Sequence, residues 1–347
     1  VAASPTAGSA LGRYVLVRFL LIIPTVFILV TTVFVLMRAT GDPITAALGG
    51  RLTPDQLAER IQAAGYDRPI LVQYWEYLSG ILTGDFGTTI SDNRPVTEVL
   101  TTYGAATLEL STYAVLVALV LGVPFGMIAA YRRDLLPDAV LRVLAILAYA
   151  TPVFFAGLLL KLIFSVWLGW FPVAGRVSTA GEIEMRKAGA DSGFMVVDAL
   201  ATGDPAVLLD VLSHAVLPSL ALGLLTAGVF LRLVRTNMIS TLGTEFVVSA
   251  RSRGVKERRL VTAHAWRPAL IPIITVAGMQ IAMLLVGAVL TETTFEWRGL
   301  GFQLSEYLQA RDFVAVQGIV VVMAVIVAVT NFLVDVIAAL VDPRVRY

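Results

Sequence analysis

Three lysines, two histidines and no cysteine bound the chemistry open to this chain. A phosphate-cradling loop needs Gly-Lys-Ser/Thr. Lys161, Lys187 and Lys256 follow Leu160, Arg186 and Val255, so none completes that pattern. The histidines, His214 and His264, are far apart in sequence, and no His-Glu-x-x-His pair occurs to hold a metal. Without cysteine there are neither disulfides nor thiolate metal ligands. No serine stands in a nucleophile elbow. These residues describe a chain that is not an enzyme by itself: no catalytic residues, no metal and no cofactor are expected on it.

The remaining polar residues of interest interrupt apolar runs, where a polar group is by default a functional suspect. Lys161 falls near the end of such a run and can snorkel to the interface. Asp335 falls near the opposite interface, within reach of cations. Gln280 sits deep in its run, about 12 Å along a helix from Pro272. It either lines a path through the membrane or makes a helix–helix hydrogen bond. Gly122 and Gly126 form a small-xxx-small pair suited to helix packing. His214 reads as an interfacial residue at a helix start.

One segment carries dense charge: "EFVVSARSRGVKERRLVTAHAWRPALIP", residues 245–272, with five arginines and one lysine. Basic residues beside a membrane span can reflect topology alone. This segment is also patterned. Glu245 suits the first turn of a helix, and Phe246, Val247 and Ala250 recur on one face. Gly254 offers the left-handed residue that ends a helix. A second helix is expected over residues 256–266, with Pro268 and Pro272 restarting an apolar span. A short rigid helix, apolar on one side and basic around it, is a docking element.

The elements that must position these residues are membrane helices. Hydrophobic residues make up 57% and charged residues 15% of the 347, whereas a soluble domain needs about 25% charge to cover its surface. The net charge of +1 gives no field for nucleic acid. A bilayer core of about 30 Å takes roughly 20 apolar residues. Six stretches qualify, at 14–37, 105–131, 139–167, 217–234, 271–290 and 314–340, and no alternating pattern supports a barrel. Residues 1–13 read as a flexible tail. With the N-terminus inside, 15 of the 26 basic residues fall on short inner segments and 11 on longer outer ones. The basic density therefore places both termini in the cytoplasm. The segment 38–104 reads as a small outer helical subdomain: Thr53, Pro54 and Gln56 form a capping box, Gly65 terminates, and a further helix starts at Pro69. The outer segment 169–213 is Gly-rich and reads as mobile. A third, 291–313, carries "ETTFEWRGLG", whose paired glycines suggest a tight turn with Trp297 at the interface. The core, 105–347, holds the inner loop 235–270.

"SARSRGVKERRLVTAHAWRPALIP" resembles the EAA loop of binding-protein-dependent ABC importers, in the form of the dipeptide, oligopeptide and nickel permeases. Ala250, Arg251, Gly254, His264 and Pro272 match its Ala-Arg-x-x-Gly, its His ten residues on and its Pro eighteen on. "GDP" at 41–43, "YDRPILVQYWEYL", "GDFGTTI" at 84–90, "RPVTEVLTTYGAATLEL", "ATPVFFAGLLL", "HAVLPSLALGL", "ETTFEWRGLG", "RDFVAVQG" and "DPRVRY" follow the same family in order. Val248 stands where the general loop has Glu, Pro268 where Asn is usual, and Arg298 where Pro is usual. The insert around 182–193 has no counterpart. The resemblance implies a type I ABC importer permease fold, all-α and membrane-integral, in the inner or plasma membrane. It also implies a second permease chain, two ATPase subunits that bind ATP and Mg, and an extracytoplasmic solute-binding protein. Glu245, Ala250, Arg251, Gly254, His264 and Pro272 are then the ATPase-coupling loop, and Gln280 a residue of the path. Gly84, Asp85, Gly87, Glu292, Trp297, Gly299 and Gly301 are the outer gate or binding-protein contact. Peptides are the first expectation for cargo, with nickel or metal chelates and other small solutes open. A secondary transporter or channel working without ATPases is the rival from another class. Its usual signs, inverted repeats and mid-membrane charges, are not evident.

Overall fold

A computed structural model describes residues 7–341. Every regular element among them is a helix, apart from one isolated bridge between Thr88 and Pro95. Four helices are long and apolar enough to cross a membrane, and two bent pairs bring the number to six. Lipid leaves backbone groups no partner but their own helix, so an apolar chain of this composition settles into helices.

Helix α1 (Ala7–Ala39) begins well before the expected span, so residues 7–13 are helical rather than a tail. It packs on α15 (Phe313–Val341) through a Phe19–Phe332 edge contact and an Arg18–Asp335 ion pair at 3.4 Å. Asp335 thus has the cation expected for it. The closing "DPRVRY" and the first six residues lie outside the described residues.

The outer subdomain forms as its caps dictate. Asp42 caps α2 (Pro43–Leu48), and α3 (Pro54–Ala63) opens on the reciprocal Thr53–Gln56 capping box. Helix α4 (Ile70–Thr83) ends at Gly84 with φ +80°. It is tied to α1 by Tyr77 stacked on Phe34 and by a 2.6 Å hydrogen bond between Tyr74 and Thr31.

Helices α5 (Val96–Tyr131) and α10 (Pro205–Leu242) form the spine. Their backbones approach closely because glycine lines the seam. A Cβ at Gly122 would lie 2.6 Å from the Phe230 Cβ, one at Gly126 2.7 Å from the Val234 Cβ, and one at Gly223 2.7 Å from the Ala114 carbonyl. The small-xxx-small pair serves packing. His214 does not start a helix: it is buried within α10, with Nδ1 2.8 Å from the Asp210 carbonyl.

The third apolar stretch is not one straight span. Helix α6 (Leu136–Ala150) and α7 (Val153–Leu160), extended by a wider π-type turn over Lys161–Trp167, form a run bent by 109°. Pro152 disfavours helical backbone at Thr151, which is extended at ψ 124°. Two arms of about 22 Å with that bend between them span about 26 Å end to end, against about 45 Å if straight. Lys161 does not snorkel freely: its Nζ donates to the Thr294 carbonyl at 3.1 Å.

The segment expected to be mobile holds two helices, α8 (Thr179–Lys187) and α9 (Met195–Thr202). Met185, Ala199, Val207 and Val211 form a small apolar core that packs them on α10. Apolar anchors hidden among glycines were the signal that composition obscured.

After α10 come α11 (Glu245–Ser252), a short α12 (Glu257–Arg259), a π-type segment Leu260–Ala265 and α13 (Trp266–Phe295). The expected restart at Pro268 and Pro272 takes the form of a bend within one helix. Pro268 falls in the first turn of α13, where its missing N–H costs nothing, and Pro272 lies inside the helix. The run is bent by 54° beside Pro272. Helix α14 (Leu300–Gln309) then leads to α15.

Candidate functional site

The structure gathers the sequence-derived site residues at two opposite ends of the bundle. At one end is the basic loop. Thr244 precedes α11 with extended backbone, but its hydroxyl turns back to the Thr241 carbonyl, so Glu245 meets the helix start without a side-chain cap. Val247 is wholly buried, whereas Phe246 and Val248 are about half exposed. The expected shared face of Phe246, Val247 and Ala250 is therefore split: Val247 turns inward and Phe246 outward.

The helix end is closed as Gly254 suggested. Gly254 has φ +82°; its N–H donates to the Arg251 carbonyl at 3.0 Å, and the Val255 N–H donates to the Ala250 carbonyl at 3.3 Å. That pair of bonds is the Schellman closure. Across the turn the Arg251 guanidinium donates to Glu257 at 2.5 Å and 3.3 Å, which lifts the Arg251 pKa further above its ordinary value. The pair is nearly half exposed, so it sets direction more than stability, contributing at most about 1 kcal/mol.

Leu260, Val261 and Ala265 are buried, and the latter two join Phe230, Val234 and Met238 of α10 in one apolar cluster. The loop is thus seated on the end of the spine. His264 lies in the π-type segment between Ala263 and Ala265, half-buried. Gln280 is half-buried on α13, beside an open stripe that includes Met279 and Met283, each about two-thirds exposed.

At the other end is a buried latch. Glu292 and Trp297 are fully buried, so neither offers a surface to another protein, contrary to the interfacial position expected for Trp297. The Glu292 carboxylate accepts from the Thr107 hydroxyl at 2.7 Å and from the Phe302 N–H at 2.9 Å, in the first turn of α14. A carboxyl group there satisfies a free N–H at the helix start. Gly299 is extended at φ −112°; its role is space, since a Cβ would lie 2.6 Å from the Glu292 carboxyl carbon. Gly301 likewise has room for nothing more, with a Cβ 2.5 Å from the Val289 Cα. The Trp297 indole N–H donates to the Ala106 carbonyl at 2.9 Å, and the Arg176 guanidinium lies over its ring at 5.4 Å.

Several residues of this latch were missed in sequence. Thr107 bridges Glu292 and the Leu300 N–H. Glu109, buried in α5, pairs with Arg176 at 2.5 Å and accepts from the Val196 N–H at 2.9 Å. Glu109 stood in plain view as an acid within an apolar run. Asp312, also buried, accepts from the Ile90 and Ser91 N–H groups at 2.6 Å and 2.8 Å. It thereby fastens the "GDFGTTI" segment, in which Asp85 accepts from the Gly87 N–H at 2.9 Å. Burial and then the Asp92 carboxylate raise the Tyr307 phenol above its ordinary pKa, keeping it a donor to Asp92 at 3.1 Å. Gly84, Asp85 and Gly87 are exposed.

Residues 122–347 match the family described as Binding-protein-dependent transport system inner membrane component, and residues 11–99 match its N-terminal companion. The chain belongs to this family. This permease is 37% identical over 332 residues to a di/tripeptide transport system permease protein of Pseudomonas aeruginosa, covering 95% of this chain and 97% of that one. It is 36% identical to the dipeptide transport system permease protein of Escherichia coli K12, covering 96% and 99%. A glutathione transport system permease protein of Salmonella choleraesuis is 34% identical, with the same coverage. A chain of the MetNI methionine ABC transporter aligns with a TM-score of 0.47 and 14% identity, over 68% of this chain and 93% of that one. These relatives are permease subunits rather than enzymes. The two sites described above stand at opposite ends of this permease's long helices.

Proposed function

We propose that this permease forms half of a path for short peptides, together with a second permease chain, and that α11 docks an ATPase subunit. The peptide cargo rests on the names of the relatives. The basic density of the short segments supports a cytoplasmic position for α11 and both termini. ATP and Mg bind on the partner ATPases, and an extracytoplasmic solute-binding protein delivers cargo to the opposite end. Nickel or metal chelates are the second cargo class. The observation that carries this reading is α11 itself: a helix closed by a glycine turn, seated on α10 through Val247 and the Leu260–Ala265 segment, and presenting Phe246 and Val248 among arginines. Closure of the ATPases would move such a body without melting it. On the outer side Glu292, Trp297, Gly299 and Gly301 hold the gate from within, leaving Gly84, Asp85 and Gly87 to meet the binding protein.

The chain has no cysteine, so single cysteines report cleanly. Cysteines at Ala250 and Ser252 should cross-link to an ATPase chain from the cytoplasmic side and never to the binding protein. Labelling of either by an impermeant reagent from outside would invert the topology and remove the docking argument. Gln280 tests the path: Gln280→Leu should cut uptake at least fivefold at unchanged membrane abundance and assembly. Unchanged uptake with a lower melting temperature would make Gln280 a packing residue instead.

A further inference from the structure

Near the base of α11, α6 and α10 enclose a groove of about 320 Å³. From α6 it takes Arg142, Ile146 and Tyr149, one stripe at helical spacing, and from α10 Gly228, Val229, Arg232 and Arg235. The helices run antiparallel. Gly228 meets Ala145, where a Cβ would lie 2.8 Å from the carbonyl oxygen, and Arg235 meets Asp138 at the far end. All three arginines therefore gather at one end, and the apolar wall of Ile146, Ala150, Gly228 and Val229 extends from them. From Arg142 to Ala150 is about 12 Å along α6.

The charges at the basic end do not cancel. Asp138 is wholly buried and committed to Arg235, which donates to it at 2.6 Å and 2.8 Å. Arg142 reaches the same carboxylate only at 3.7 Å, with half its side chain exposed. Among the described residues no carboxylate pairs with Arg232, which is exposed. Three arginines line this end against one carboxylate at ion-pair distance, the neighbouring Asp134 being taken up by Arg133, and an apolar trough leads away from them along both helices. A second, almost wholly apolar hollow of about 440 Å³, inside the α6–α7 bend, shares Ala145, Gly228 and Leu231 with it.

We propose that this groove holds one anionic phospholipid, its phosphate between Arg142 and Arg232 and an acyl chain along Ile146, Ala150 and Val229. Basic pockets between membrane helices suit such headgroups. A protein partner would have to match an arginine cluster and an adjoining apolar trough with one surface, whereas a phospholipid carries an anionic head and an apolar tail in one molecule. The orientation proposed above decides only that the leaflet is the cytoplasmic one. The site itself stands whether or not α11 binds an ATPase.

The test uses the permease extracted with its native subunits, retained lipid being counted by native mass spectrometry after exchange into mixed phosphatidylglycerol and phosphatidylcholine. Phosphatidylglycerol should be retained over phosphatidylcholine by tenfold or more. Arg142→Gln with Arg232→Gln should bring that ratio near one while leaving the Asp138–Arg235 pair intact. Ala150→Phe, which fills the apolar end without touching charge, should lower retention of the lipid and covers the case in which the double variant fails to assemble. Arg132→Gln with Arg133→Gln, on exposed arginines outside the groove, should change nothing. Soluble glycerol phosphate should not displace the lipid. Wild-type retention in the double variant, or in Ala150→Phe, overturns the proposal. So does displacement by glycerol phosphate, or loss of an ATPase subunit from the double variant with lipid retention unchanged.

Discussion

Gly254→Val should leave the permease in the membrane at near-normal abundance and cut uptake tenfold or more. The reason is confined to the backbone. Gly254 sits at φ +82° with nothing within 4 Å of a would-be Cβ, so the valine meets no clash with its surroundings. What it meets is its own peptide group: left-handed backbone costs an L-residue roughly 1–2 kcal/mol, and β-branching makes it worse. The cheapest escape is to abandon positive φ, which breaks the Val255–Ala250 and Gly254–Arg251 bonds and separates Arg251 from Glu257. Helix α11 would then point elsewhere while the spans, which do not depend on it, insert as before. Gly254→Asn, which tolerates the left-handed region, should retain most uptake. Equal loss in Asn and Val variants would mean that the residue matters for something other than φ.

Trp297→Ala should cost about 4 kcal/mol and lower the melting temperature of the purified permease by about 10 °C. The ring is fully buried between Ala106, Leu110, Ala215, Leu222, Leu284 and Ala288, so truncation opens a cavity in the joint of α5, α10 and α13. It also removes the bond to the Ala106 carbonyl and the ring face beneath Arg176. Trp297→Phe separates these effects: most packing remains, only the N–H is lost, and the cost should fall to about 1–2 kcal/mol. A thermal shift of less than 3 °C for the alanine variant would show that the ring is not as enclosed as the structure places it.

What could be read from sequence followed the range of the physics involved. The Thr53–Gln56 box, the end at Gly65 and the Gly254 turn are set by neighbours a few residues away, so residue types disclose them. The apolar runs were legible too, because apolar length is additive along the chain; four are single membrane-length helices and two are bent pairs. Direction was not. The run 139–167 is apolar throughout, and hydropathy cannot tell a straight span from one bent by 109°; only Pro152 hinted at it. The latch was half legible. Glycines at 299 and 301 mark a close approach, but what approaches is Glu292, and its partner Thr107 lies 185 residues earlier. Glu109 was passed over because its meaning depends on Arg176, which lies in a segment that composition alone describes as loose.

Helix α10 is one unbroken element of 38 residues, about 57 Å long. Near its start the Asp210 side chain holds the Ser178 N–H at 2.9 Å; near its end Met238 is packed into the cluster under the basic loop. A body anchored at both ends behaves as a tiller. Tilting it by 5° about its lower end would sweep the upper end through about 5 Å, enough to separate groups held at hydrogen-bond distance. Pro218, buried inside the helix about a third of the way along, removes one backbone bond, yet the helix runs through that joint unbroken. Below that joint the shaft is braced by the Gly122–Phe230 and Gly126–Val234 seams; above it stand the Asp210–Ser178 tie and His214. A cell could therefore pass a displacement from one face of its membrane to the other through a single rod.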